Sequence, residues 1–162
     1  MLKSLAILAL LSLAKSDPVA DRVVTLTGWN NNEPFPFRMY SGYLQVLGTT
    51  KNLHYVYLDS QRDPVNDPLV VWYNGGPGCS SMLGLLQEHG PYIIDNNGTE
   101  FRWNDYSWNK ETNMLYIEAP AGVGYSYCVD PDECKGYDDN NSARDNLQAL
   151  LYFFEYKFPE RK

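Results

Sequence analysis

The sequence predicts an α/β protein built on a mixed sheet, and three observations carry that prediction. Two stretches rich in Tyr and Val, "MYSGYLQVLG" and "LHYVYLDSQ", are joined by a Gly-containing turn, the pattern of an antiparallel hairpin. Two later runs, "LVVWY" and "MLYIEA", are nearly continuous in apolar residues and are separated by a long connection, as expected of buried strands joined by crossovers. The closing stretch "DDNNSARDNLQALLYFFEYKF" places apolar residues at helical spacing.

Taken in order, residues 1–16 predict a secretory signal peptide. One cation, Lys3, precedes an apolar stretch from Leu5 to Ala14 that is too short to span a bilayer, and Ser12 and Ala14 offer small residues around a plausible cleavage point. Residues 17–162 then form one domain. "TGWNNNEPFPFRM" is rich in Asn and Pro and predicts irregular backbone. In the hairpin, Tyr40, Tyr43, Val46, Tyr55, Val56 and Tyr57 supply the β-formers, and residues 48–52 supply the turn. "RDPVNDP" is a second turn-rich link, and "LVVWY" reads as a strand covered on both faces. "SMLGLLQEHG" predicts a short helix ended by Gly90 and Pro91, and "MLYIEAP" predicts another buried strand. The last helix has Asp and Asn at its start, where a helix N-terminus favours them, and Ala143, Leu147, Leu150, Leu151 and Phe154 as its apolar face. A crossover helix delivers a further parallel strand; none follows here, so the fold is expected to continue past residue 162. The chain by itself is therefore expected to expose apolar surface from "LVVWY", "MLYIEA" and the last helix.

Composition narrows the partners. The net charge of −7 leaves no basic stripe to neutralise phosphates, which excludes a nucleic-acid-binding role and disfavours an anionic membrane surface. No later segment is long and apolar enough to be a membrane span. The two histidines and three cysteines lack metal-ligand spacing, so no metal or other cofactor is expected. Cys128 and Cys134 bracket "VDPDE", whose turn-forming residues favour a local disulfide, which leaves Cys79 unpaired. Asn97-Gly98-Thr99 and Asn140-Asn141-Ser142 are glycosylation sequons consistent with a secretory route.

The strand "LVVWY" halts at "NGGPGCSS", Asn74 to Ser81. Without Cβ atoms, Gly75 and Gly76 let the backbone approach a ligand, and Pro77 fixes the next turn. Two readings are open on these residues alone: a structural turn, or a loop whose Gly75 and Gly76 amides face an anion or a developing oxyanion. A nucleotide loop is disfavoured, because no Lys-Ser or Lys-Thr follows the glycines. A strand–loop–helix at the third strand is where the α/β-hydrolase fold puts an oxyanion donor.

"WYNGGPGCSSMLGLLQEHGPY" resembles the serine carboxypeptidase family, and "FRMYSGYLQV", "LHYVYLDSQRDP", "YSWNKETNMLYIEAPAGVGYSY" and "DNLQALLYFFEYKFPE" resemble its successive blocks in the same order, from Val23 to Glu160. The resemblance implies the N-terminal part of an α/β-hydrolase fold, ending before the nucleophile elbow. It implies that the Asn74 side chain and Gly75 amide grip the C-terminal carboxylate of a peptide, that the Gly76 amide is one oxyanion-hole donor, and that Glu88 hydrogen-bonds the same carboxylate. Two facing carboxylates repel unless one is protonated, so Glu88 is expected to work in acid. On the residues alone, Glu88 reads as an ordinary exposed glutamate near a helix end. Trp72 and Tyr73 are expected to pack beside the loop. For Cys79 the resemblance implies a long-range disulfide whose partner lies downstream.

Serine hydrolysis needs a nucleophile, a base and an orienting acid. The resemblance implies a Gly-Glu-Ser-Tyr-Ala-Gly elbow soon after "FPE", with the aspartate and histidine later; the 162 residues contain no such elbow, and the chain alone is expected to be inactive. "GYSYC" imitates a Gly-x-Ser-x-Gly elbow but ends in Cys128, and Ser126 is read as structural. Ser80 and Ser81 lack a base, and His54 and His89 are read as ordinary or supporting residues. Three functions remain: a serine-type carboxypeptidase acting on peptide or protein C-termini through an acyl-enzyme, a non-catalytic homologue acting as a binding protein, and an acyltransferase. The Asn-Gly-Gly grip with Glu88 favours the peptidase over the acyltransferase. The signal peptide and the resemblance together imply the secretory pathway, with a lysosomal, vacuolar or extracellular destination.

Overall fold

A computed structural model describes residues 18–29, 33–95, 97–98 and 100–161; the predicted signal peptide lies outside them. In chain order the strands are β1 (Arg22–Val23), β2 (Met39–Gln45), β3 (Lys51–Leu58), β4 (Leu69–Trp72), β5 (Tyr92–Ile94), β6 (Phe101–Trp103), β7 (Asn113–Ile117) and β8 (Tyr127–Cys128), followed by helix α1 (Asp139–Tyr152). Six strands form one sheet in the order β1-β2-β3-β7-β4, with β8 also pairing β3. The predicted hairpin is β2–β3, in register from Met39 opposite Leu58 to Gln45 opposite Asn52. β7 is antiparallel to β3 and parallel to β4, which makes the sheet mixed, as the sequence predicts.

Alternation along the strands sends residues to two faces. On one face Tyr40, Leu44, Leu53, Tyr55, Tyr57, Leu115 and Ile117 pack with Ala149, Phe153 and Phe158 of the C-terminal helical region. On the other, Met39, Val56, Leu58, Met114 and Tyr116 pack with Trp29, Phe37, Leu85 and Tyr92. β7 is buried along its whole length, because it is central and covered on both faces. "MLYIE" therefore exposes no apolar surface, contrary to expectation. β4 is only half-buried, although its apolar run predicted cover on both faces; it is the edge strand of the sheet. β5 and β6 form a separate two-stranded ribbon that three-residue strands leave without a readable period.

α1 begins with a capping box: Asp138 accepts a hydrogen bond from the Asn141 amide at 2.8 Å, and the Asn141 side chain accepts one from the Asp138 amide at 3.1 Å. The inward face differs from the predicted one. Asp145, Ala149 and Phe153 are buried, whereas Leu147 and Leu151 are 54% and 39% exposed. A buried ion pair fixes this rotation: Lys51 Nζ of β3 lies 2.5 Å from Asp145 Oδ2, and Phe153 meets the rings of Tyr55 and Tyr57 edge-on. Asp145→Ala leaves Lys51 buried without its partner and is expected to cost about 3–5 kcal/mol, read as a lower denaturant midpoint in equilibrium unfolding.

Candidate active site

β4 runs directly into the glycine loop. Gly76 has φ +140°, and a Cβ there would lie 3.0 Å from the amide nitrogens of Gly78 and Cys79; the position requires glycine. Gly75 and Gly76 are exposed. The loop is anchored below by the buried Ser81, whose hydroxyl donates to the Ile117 carbonyl at 2.6 Å and accepts from the Asn74 amide at 3.1 Å. Ser81 is thus committed to joining the loop to the end of β7.

The Asn74 side chain has a defined orientation. Its Oδ1 accepts hydrogen bonds from the Trp72 indole N–H at 2.8 Å and from the Gly84 amide at 3.2 Å. Both partners are donors only, so the oxygen must face them, and the side-chain NH₂ is the group left for a ligand. The approach needs Gly84, because a Cβ there would lie 2.5 Å from the Trp72 nitrogen. Gly84 opens a short helical segment of wide turns, Gly84–Glu88, which carries the exposed Glu88 at its end. Asn74, Gly75, Gly76 and Glu88 therefore share one strand–loop–helix unit.

His89 is buried behind Glu88. Its ring stacks on Trp108 at 4.3 Å and on Tyr116 at 5.6 Å, and meets Trp72 edge-on at 4.4 Å. Nδ1 is 3.1 Å from the Tyr116 hydroxyl, and Nε2 is 3.9 Å from Glu88 Oε2. Burial lowers its pKa, against a weaker upward pull from Glu88.

Glu118, which follows β7, is a second centre. It is fully buried, at 0% exposure. Its carboxylate accepts from the Ser80 hydroxyl, from the Tyr125 amide at 2.8 Å and from His54 Nδ1 at 3.0 Å. Burial pushes its carboxyl up, but these hydrogen bonds outweigh burial and hold the pKa below the ordinary carboxylate value. Ser126 completes the arrangement, donating to the Glu118 carbonyl at 2.6 Å and accepting from the His54 amide at 2.8 Å. Ser80, Ser81 and Ser126 thus all hold structure, as their lack of a base predicts.

Ser41 Oγ lies 2.9 Å from His54 Nε2, so Ser41, His54 and Glu118 stand in a row with triad-like spacing. Ser41 sits within β2, opposite Val56 of β3. A serine nucleophile is presented on a sharp turn beside free amides, which a paired strand does not provide. His54 is a support for Glu118. Sequence reasoning missed Glu118; its one signal is a carboxylate ending an apolar strand. It also missed that Trp72 is a hydrogen-bond donor to Asn74 as well as a packing residue.

Cys128 and Cys134 form a disulfide with Cα atoms 5.8 Å apart, and Cys79 is free and exposed. Asn97 and Asn140 are both exposed. No group of three or more His, Cys, Asp or Glu side chains suits a metal ion among the described residues. No helix among them is long and apolar enough to cross a membrane.

A mixed sheet whose third long strand opens into a glycine loop and helix is the N-terminal part of an α/β-hydrolase fold. The same fold is found in the prohormone-processing carboxypeptidase Kex1 of Saccharomyces cerevisiae, which superposes with a TM-score of 0.66 at 28% identity, over 77% of this chain and 29% of that one. The chain belongs to the serine carboxypeptidase family, whose profile matches residues 30–162. It is 45% identical to the mouse lysosomal protective protein across 99% of this chain and 33% of that protein. It is 44% identical to the Caenorhabditis elegans serine carboxypeptidase ctsa-4.1 across 93% of this chain and 31% of that one. The chain thus spans about a third of the length of these curated relatives.

Proposed function

We propose that this chain supplies the substrate-carboxylate grip and one oxyanion-hole amide of a serine-type carboxypeptidase that releases C-terminal residues from peptides in acid. The observation that carries this reading is the orientation of Asn74. Two donors occupy its oxygen, so the side chain offers a ligand its NH₂, which suits a carboxylate. Gly75 and Gly76 add exposed backbone on the same loop, and Glu88 stands on the helical segment that Asn74 caps through Gly84. Glu88 carries the proton of the carboxylate–carboxylate pair, which gives the activity its acid dependence. The serine, aspartate and histidine of the triad come from outside these residues. The predicted signal peptide and the secretory sequons support synthesis through the secretory pathway, and the lysosomal name of the mouse relative favours an acidic destination.

The test is a chimaera in which residues 30–162 replace the matching segment of the mouse relative. It is expected to release C-terminal residues from peptides with a free carboxylate in preference to their C-terminal amides. Raising the pH from about 5 to about 7 deprotonates the carboxyl of the pair and weakens the grip. Glu88→Gln keeps a donor but removes the titration, so it is expected to lose less activity over that range than its parent. A chimaera that treats acids and amides alike, with a pH profile unmoved by Glu88→Gln, would refute the grip. The 162-residue chain alone is expected to show no peptidase activity, and a fluorophosphonate probe is expected to label neither Ser80 nor Ser126; stoichiometric labelling of either would overturn the assignment of the nucleophile elsewhere.

A further inference from the structure

We propose that His89 is a positioning residue for Glu88: its Nε2–H holds one oxygen of the Glu88 carboxyl so that the other faces the terminal carboxylate of the substrate. The inference rests on the reading of Glu88 as part of the carboxylate grip.

Three observations carry it. His89 is buried, yet its Nε2 has no hydrogen-bond partner among the described residues. A residue present only to fill space needs no polar atom at that point, and buried polar atoms are nearly always paired. The nearest carboxylate oxygen is Glu88 Oε2, 3.9 Å away. Glu88 is exposed, and a small rotation of its side chain closes that gap to a hydrogen bond.

The ring is also fixed. Trp108 and Tyr116 hold its plane with interplanar angles of 19° and 18°. Nδ1 lies 3.1 Å from the Tyr116 hydroxyl; in the tautomer that this role requires, the hydroxyl donates to Nδ1 and the ring proton resides on Nε2, facing Glu88. Trp72 meets the His89 ring edge-on and donates to Asn74, so one indole braces both arms of the grip.

The groups facing His89 are Glu88 on its own segment, Tyr116 from β7, and the uncharged rings of Trp72 from β4 and Trp108 from the turn Trp108–Lys110. Burial favours the neutral ring. A neutral donor orients Glu88 without a positive charge, which would favour the ionised glutamate and so repel the substrate carboxylate. In the complex, the Glu88 O–H donates to the substrate carboxylate, while its carbonyl oxygen accepts from His89.

The test uses the chimaera with His89→Phe, which keeps a ring in the slot but has no N–H, and His89→Gln, which restores a donor. His89→Phe is expected to raise KM for free-acid peptides about tenfold and to leave the amides unchanged, and His89→Gln to recover most of that loss. Equal effects on acids and amides, no effect on acids, or no recovery with Gln would overturn the role. A parent that does not discriminate acids from amides overturns the grip and this role with it; a discriminating parent with an unaltered His89→Phe overturns this role alone. Side-chain ¹⁵N NMR of the chimaera, with its histidines labelled, tests the same point without catalysis. The expected tautomer carries its proton on Nε2, and an Nδ1–H tautomer would refute the proposal.

Discussion

Gly76→Ala in the chimaera is expected to lower kcat about 10²–10³-fold, the loss that follows removal of one oxyanion-hole donor. The glycine stands at φ +140°, and a methyl there would press on the amides of Gly78 and Cys79. The backbone must turn to relieve both, and the Gly76 N–H turns with it. Oxyanion stabilisation acts on the reacting carbonyl, so free-acid and amidated peptides are expected to suffer equally, in kcat more than in KM. That pattern separates Gly76 from Asn74 and Glu88, for which the proposed carboxylate grip predicts losses confined to substrates with a free C-terminus. A loss under about tenfold would show that this amide does not serve the oxyanion.

Glu118→Ala is expected to have a large effect on stability, about 3–5 kcal/mol, measured by denaturant unfolding of the chimaera. The carboxylate is fully buried and accepts from Ser80 on the glycine loop, His54 on β3 and the Tyr125 amide. Its removal strands three donors and leaves Ser81 to tie the loop to the end of β7 without the Ser80 contact. Glu118→Gln keeps the shape and loses only the charge, so its cost is expected to be smaller, about 1–3 kcal/mol. The pH dependence follows from the depressed pKa. A carboxylate held below its ordinary value of 4.5 stabilises the fold fully above that value, and loses the contribution as pH falls through the folded-state value. The Glu118 carboxyl's own contribution to the gap between parent and Glu118→Gln is therefore expected to shrink as the pH falls below about 5. A gap that persists undiminished in strong acid would contradict the network.

The hairpin, the strands β4 and β7 and the last helix were all legible, because each carries a strong local pattern: Tyr and Val alternation, apolar runs, and Asp and Asn at a helix start. The face of α1 was not. Hydrophobicity points to Leu147 and Leu151 as inward residues, whereas Lys51, distant in sequence, pairs with Asp145 and turns the helix the other way. The ribbon of β5 and β6 was invisible because "YII" and "FRW" are too short to show a period. In the site, the glycine loop announced itself, since three glycines and a proline after a buried-type strand demand a special backbone. The supports of the site did not. Trp72 reads as packing, His89 as an ordinary or supporting residue, and Glu118 passes unremarked in an apolar run, because each draws its meaning from partners brought near only by the fold. Cys128 and Cys134 pair as their spacing suggests, since two cysteines six positions apart with a turn between them need no distant contact.

The central claim is that Asn74 recognises a free carboxylate, and a double-mutant cycle measures it directly. Parent chimaera and Asn74→Ala are compared on one peptide with a C-terminal carboxylate and on its amide, both at about pH 5. The cycle removes whatever Asn74→Ala does to the loop in general, because that loss falls on both substrates. A hydrogen bond to a charged group is worth about 1.5–3 kcal/mol, so the specificity constant for the acid is expected to fall about tenfold to a hundredfold further than that for the amide. Equal losses on the two substrates would mean that Asn74 shapes the loop through Trp72 and Gly84 and takes no part in reading the C-terminus.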